Sequence, residues 1–214
     1  MGLEKPTKRR YDSSRRKEGA RQTRRQIIEA ARRLFIARGY TGATMESIAQ
    51  EAGVAVETVY ATFGNKRAIL SGLISVSLVG DDEPVPLLQR QGPQAVVREK
   101  DQQRQLEMFA SDMADIMARM APLFGVMRAA AKTEPDIDEM LHRMLMERAE
   151  NMKFLLNALL VNGPLQEGLS IDEAAETVWA LSSAEVYTLL VTDRGWSTEQ
   201  YTRWLANALY KLLS

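Results

Sequence analysis

Val56, Glu57, Thr58 and Tyr60, with Thr62 closing the run, are the side chains of this 214-residue chain whose types and spacing best suit chemistry with a partner. A glutamate carboxylate accepts hydrogen bonds from a cytosine amino group and a valine methyl meets a thymine methyl, while threonine and tyrosine hydroxyls bond bases or phosphates. At these positions they belong to one predicted helix, Ala55 to Thr62. Catalysis has no comparable set. The chain has no cysteine and a single histidine, His142, so thiolate nucleophiles, disulfides and multi-histidine metal sites are ruled out. It has no glycine-rich loop closed by Lys-Ser/Thr and no strand-turn-helix context for a nucleophile elbow. Asp112 with Asp115, or Asp136, Asp138 and Glu139, leave an all-α enzyme as an alternative, although the second set reads as helix N-terminal charge.

Two helices and a tight turn are needed to present the Ala55 to Thr62 face. Ala49 allows close crossing of a first helix by a second, and Gly53, four residues on, takes the left-handed backbone of the turn without a Cβ clash. Val59 is the apolar peg of the second helix. Ile48, Ala52, Val54 and Phe63 complete its inner faces, leaving Val56, Glu57, Tyr60 and Ala61 outward. Thr44 stands where an N-cap belongs. Ahead of it, Ile27, Ala31, Leu34 and Phe35 predict a helix from about Thr23 to Arg38 that ends at Gly39. Together these features make a helix-turn-helix.

This region resembles the tetracycline-repressor (TetR) family. The matching run begins at Arg24 and includes Ala30, Ala31, Leu34, Phe35, Gly39, Tyr40, Thr44, Ile48, Ala49, Ala52, Gly53, Val54, Val59, Tyr60, Phe63, Lys66 and Leu70. Ala55, Ala61 and Thr62 depart from the family's usual cap and basic residues. The resemblance implies an all-α protein with a three-helix DNA-binding domain at residues 21–65 and a helical ligand-binding and dimerisation domain at 66–214. It also implies that Thr44 and Lys66, at helix N-termini, hold phosphates of a double-stranded operator. The expected function is that of a homodimeric repressor released from a palindrome by a small lipophilic effector, with no cofactor and no turnover. A regulator without an effector is the nearest alternative.

Formal charge is zero overall but unevenly spread. Residues 1–70 hold 15 Lys and Arg against 7 Asp and Glu, and the rest of the chain holds 13 against 21. A basic front and acidic back suit one end that meets a polyanion. Residues 1–20 carry many cations and few large apolar groups, so they are expected as a flexible basic arm. That arm either touches phosphates or is simply solvated. No stretch is apolar enough to span a bilayer or act as a signal-peptide core, which places the protein in the cytoplasm with no membrane partner.

Beyond Asn65, which caps a helix from Lys66, the pattern is helical throughout. Residues 80–93, rich in Gly, Pro and acid, are expected as a mobile connection. Helices follow at 96–120, interrupted by Pro122, then at Leu123–Ala131, Met140–Val161, 171–192 and 198–213. Ser170 with Glu173 and Ser197 with Gln200 write capping boxes, and Trp196 with Tyr201 a hydrophobic staple. Nine of eleven methionines fall between Met108 and Met152. Such a cluster either fills a core or lines an adaptable apolar pocket. On the pocket reading, Met117, Met120, Phe124, Met127, Met144 and Phe154 surround an effector, with Arg128 or Tyr187 as polar anchors. Glu185 reaches solvent, a partner or the ligand. Trp179, Val186 and Leu190 on one final helix and Trp204, Leu205 and Leu209 on the other form stripes expected to pair with a second copy as a four-helix bundle.

Overall fold

The computed structural model describes residues 11–214, with side chains from Arg15 onward, and every regular element among them is helical. The chain divides into two compact units meeting between Leu73 and Ile74.

The first unit is built on α1 (Tyr11–Gly42), broken at Gly39, where φ is 71°. Ile27, Ala31, Leu34 and Phe35 are buried along α1, as their spacing predicts, together with Ile48, Val59 and Leu70 from the elements that follow. The helix starts at Tyr11, not Thr23, so the expected flexible arm is corrected over residues 11–20. Arg, Lys, Glu and Ala propagate a helix at little cost once a buried segment has nucleated it, even when no side chain is covered. The remainder of the arm, residues 1–10, lies outside the described residues.

Helices α2 (Met45–Ala52) and α3 (Val56–Phe63) follow, joined at Gly53 with φ 69° and ψ 32°. Thr44 caps α2 through a reciprocal box with Ser47, Ser47 N donating to Thr44 Oγ1 at 3.1 Å and Thr44 N donating to Ser47 Oγ at 3.0 Å. Asn65 caps α4 (Lys66–Val79) by accepting from Ala68 N at 2.9 Å.

In the second unit, residues 80–93 are ordered rather than a mobile connection. Arg90 grips both carboxylate oxygens of Asp81, at 2.6 and 2.8 Å, and donates to the Val85 and Glu83 carbonyls. A short 3-10 turn, Leu87–Gln89, leads into α5 (Gln91–Arg98). The expected helix 96–120 is split because Glu99 takes the amides of Lys100 and Asp101, and Asp101 caps α6 (Gln102–Ala131) through Arg104 N. Pro122 does not interrupt α6. A mid-helix proline costs about 3 kcal/mol, while burying Met117, Met120, Leu123, Phe124 and Met127 returns roughly 1.5–3 kcal/mol each.

Helix α7 (Pro135–Leu160) opens five residues earlier than Met140 because Pro135 suits a first helical position, with Asp136 and Asp138 in the first turn. Helix α8 (Ile171–Leu181) starts at the Ser170–Glu173 box but stops well short of 192. Ser182 donates back to Val178 O at 2.6 Å, and Ser183 caps a new short helix, α9 (Ala184–Tyr187), which continues as a π-helical stretch, Thr188–Asp193. Adjacent serines thus offer the backbone alternatives to a straight helix. The last helix, α10 (Thr198–Leu213), begins at the Ser197–Gln200 box and packs on α6. Trp196 rests edge-on against Trp204, 6.2 Å between centroids.

The amides of buried Gln105 and half-buried Asn162 tie α5, α6 and α7 together. Gln105 Nε2 donates to Val96 O at 3.0 Å, and Asn162 Nδ2 donates to Gln105 Oε1 and Glu99 O, both at 3.0 Å. No helix among the described residues is long and apolar enough to cross a membrane.

Candidate nucleic-acid interface and ligand cavity

On α3 only Val59 is buried, so a single peg fixes the helix while the rest of its surface stays available. Glu57, Tyr60 and Ala61 are exposed, and Val56, Thr58 and Thr62 are half-buried. Thr62 spends its hydroxyl hydrogen on Thr58 O at 2.7 Å, so its remaining capacity is as an acceptor. Thr44 is exposed at the start of α2, its side chain engaged in the cap. The Lys66 ammonium lies 4.3 Å over the Tyr40 ring and donates to Tyr40 O at 2.9 Å, which anchors the start of α4 to the end of α1.

A groove that the sequence did not announce runs beside α3. Lys17, Glu18, Ala20, Arg21, Thr23 and Arg24 of α1 line it with Thr58, Ala61 and Thr62, three cations against one carboxylate. Arg24 also stacks over Phe63, 4.3 Å from its centroid. The extension of α1 to Tyr11 creates this groove, because it carries the cations past the end of the three-helix core. A row of Lys and Arg at i, i+4 and i+7 along a helix is the pattern a phosphate backbone meets most readily. The available signal was helix propensity in residues 11–22, outweighed by their charge.

In the second unit a cavity of about 120 Å³ lies among α5, α6 and α7, with Leu78 of α4 in its wall. Met117, Met120, Phe124, Met144 and Phe154 all line it. Three other expected residues do not. Met127 is fully buried in helix packing, Arg128 reaches outward to pair with Glu185, and Tyr187 is buried edge-on against Tyr201 at 4.9 Å. Helical spacing groups these residues by stripe but does not tell which side of a stripe meets the void.

The polar residues at the cavity are Asp112, Glu147, Arg148 and Asn151. Arg148 is directed to α8, donating to Trp179 O at 2.9 Å and Ser182 Oγ at 2.7 Å while its guanidinium lies 5.4 Å from the Trp179 ring centroid. Burial pushes its pKa down to about 10, against the pull of Tyr201 and Glu185. Burial likewise raises the Tyr201 hydroxyl pKa. Among the described residues no group of three or more His, Asp and Glu is placed to hold a metal.

The expected pairing stripes divide. Leu205 and Leu209 are 0% exposed within a single chain, so they cannot meet a second copy and that assignment is corrected: the apolar face of α10 is turned into its own unit. Trp179, Val186, Leu190 and Trp204 are half-buried. Ile171, Leu189, Tyr210 and Leu212 are the large apolar side chains these elements expose.

Residues 27–73 match the model of the bacterial regulatory proteins of the tetR family. The chain is 45% identical over 60 residues to the HTH-type transcriptional regulator TtgR of Pseudomonas putida, a stretch covering 28% of this chain and 29% of TtgR. Over 55 residues it is 34% identical to the uncharacterised HTH-type regulator YvkB of Bacillus subtilis, covering 26% of this chain and 29% of that one. These matches thus span less than a third of either relative. Structural likeness extends much further. A SmeT–triclosan complex superposes with a TM-score of 0.68 at 20% identity, covering 89% of this chain and 91% of that one. The transcriptional regulator FadR of Bacillus subtilis, in complex with stearoyl-CoA, gives 0.69 at 20% identity over 86% of this chain and 96% of its own.

Proposed function

We propose that this chain, whose residues 27–73 match the tetR family model, is a tetR-family homodimeric transcriptional repressor that leaves a palindromic operator when a small lipophilic molecule occupies its second unit. The observation that carries this reading is the pairing of an outward-facing α3, held by a single buried peg, with the basic groove of Lys17, Arg21 and Arg24 beside it. In the complex, Val56, Glu57, Thr58 and Tyr60 address base edges in the major groove, while Thr44, Thr62, Lys66 and the groove cations meet phosphates. Base contacts set the sequence, and phosphate contacts set affinity and its salt dependence.

Dimerisation brings two α3 helices to half-sites about 34–36 Å apart. The exposed Leu189, Tyr210 and Leu212, with half-buried Trp179, Val186, Leu190 and Trp204, supply the apolar surface for it. Helix α4 connects ligand and operator, because it opens at Lys66 and carries Leu78 in the cavity wall. A ligand that fits the cavity better in one setting of α4 shifts the population toward that setting, and affinities for ligand and DNA are then reciprocally linked. SmeT and FadR, solved with triclosan and stearoyl-CoA, are consistent with a ligand in this unit. The protein works in the cytoplasm without cofactor or turnover.

Selection of DNA from a random pool by the purified protein tests the reading. Enrichment of a palindrome bound by a dimer is the expected result. An Arg21→Ala, Arg24→Ala double variant then binds all sequences more weakly with a shallower salt slope, whereas Glu57→Gln changes the preferred bases. Failure to enrich any sequence overturns the assignment.

A further inference from the structure

The cavity lining is apolar except for Asp112, Glu147, Arg148 and Asn151, two of which are acidic. Asp112 on α6 and Glu147 on α7 both contribute to its lining. The Asp112 carboxylate lies directly over Gly92, where an added Cβ would fall 2.5 Å from Oδ2 and 3.0 Å from Oδ1. No hydrogen bond or ion pair among the described residues reaches it. It is half-buried, and burial together with Asp115, one turn along, raises its pKa above the ordinary carboxylate value. Partial burial of a carboxylate without a counter-charge is unfavourable, so a cation delivered to this point is attracted.

The remaining charge does not neutralise it. Arg148 is the one cation in the lining; both its terminal nitrogens are engaged with the Trp179 carbonyl and the Ser182 hydroxyl on α8, and only its buried Nε is left without a partner. Phe109, Phe124 and Phe154 line the same cavity, and aromatic faces attract organic cations as well as apolar bodies. An anionic head group would instead meet Asp112 and Glu147.

Resting on the effector reading above, we propose that the cavity selects lipophilic organic cations, with an aromatic body among the Met and Phe side chains and a protonated or quaternary nitrogen against Asp112. The free space, about 120 Å³, admits roughly one aromatic ring as it stands. Larger bodies enter as Met117, Met120 and Met144 change rotamer. The two carboxylates in the lining distinguish this cavity from one built for a fatty-acid carboxylate or an acyl thioester carrying phosphates.

Titration calorimetry with three compounds of one shape tests the proposal: benzyltrimethylammonium, its uncharged neopentylbenzene isostere and 3-phenylpropanoate. The cation is expected to bind at least about tenfold more tightly than the neutral compound, a difference of roughly 1.4 kcal/mol, with the carboxylate weakest. Asp112→Asn should bring the cation to within about threefold of the neutral compound while leaving the affinity for the neutral compound unchanged. Gly92→Ala, which keeps the charge but displaces the carboxylate, should reduce the preference in the same direction and serves if the first variant misfolds. Equal binding of cation and neutral isostere by the wild type overturns the cation proposal and leaves the effector reading intact. Tightest binding of the carboxylate moves the head group to Arg148 and also overturns it. Should none of the three bind, the cation proposal fails. The effector reading itself fails only if a library of lipophilic compounds releases no protein from its operator.

Discussion

Helices α3 and α6 obey opposite rules. Helix α3 has 8 residues and buries one of them, Val59, whereas α6 has 30 and buries 14. A short helix that fully buries only one side chain must be aimed by what surrounds it: the left-handed Gly53, the Thr44–Ser47 box and the Phe35 core beneath. A long helix that walls a cavity is fixed by its own packing, and the character of the site depends on which side chains meet the void. Placement governs the first and composition the second.

The comparison predicts unequal responses to substitution. Phe35→Ala, at a position 0% exposed, should destabilise the first unit by about 3–5 kcal/mol and abolish operator binding. Denaturant unfolding with a DNA-binding assay checks both. Gly53→Val forces a β-branched residue to a φ of 69° and should cost roughly 1–3 kcal/mol. Its effect on DNA affinity should exceed its effect on stability, because the turn aims α3; equal effects would mean the turn is merely structural. In α6, Met117→Leu with Met120→Leu should cost under about 1.5 kcal/mol each and leave DNA affinity unchanged. The range of compounds that raise the melting temperature should narrow. An undiminished range would show that methionine adaptability is not what the cavity uses.

The smallest effect is expected at the Asp81–Arg90 clasp. Bonding to Arg90 lowers the Asp81 pKa from 3.8 to about 2. Stability from this depressed carboxylate is therefore present above the ordinary value and is lost as pH falls through the folded one. Wild type and Asp81→Asn should differ most near neutral pH and converge as pH approaches about 2. A gap that persists at that pH would assign the clasp's contribution to packing instead.

What could be read in the sequence follows the same division. Thr44, Ala49, Gly53 and Val59 each report a local backbone requirement, so the helix-turn-helix was legible from spacing, as were the Ser170 and Ser197 caps. The cavity was legible only in its apolar half. Asp112, Arg148 and Asn151 meet it because of how α6 and α7 are rotated, and rotation is a tertiary property. Arg128 and Tyr187 carry suitable chemistry on the wrong faces. Leu205 and Leu209 lie on an amphipathic stripe that covers its own core as readily as a partner's. Pro122 shows local preference yielding to burial, and residues 11–20 show charge misread as disorder when a neighbouring nucleus sustains the helix.

Asn162 brings a chemical lifetime into the fold. Its amide nitrogen donates to three oxygens, Glu99 O, Gln105 Oε1 and, at 3.4 Å, Ala158 O. The next residue is glycine, and a Cβ there would come within 2.9 Å of Gln102 Oε1, so the Gln102 amide would have to shift. An Asn-Gly step is also the peptide sequence most prone to succinimide formation and loss of the side-chain amide. If that happens here, a carboxylate replaces the donor and faces three oxygens that had accepted from it. The residue that closes the seam of α5, α6 and α7 thus also carries its ageing chemistry.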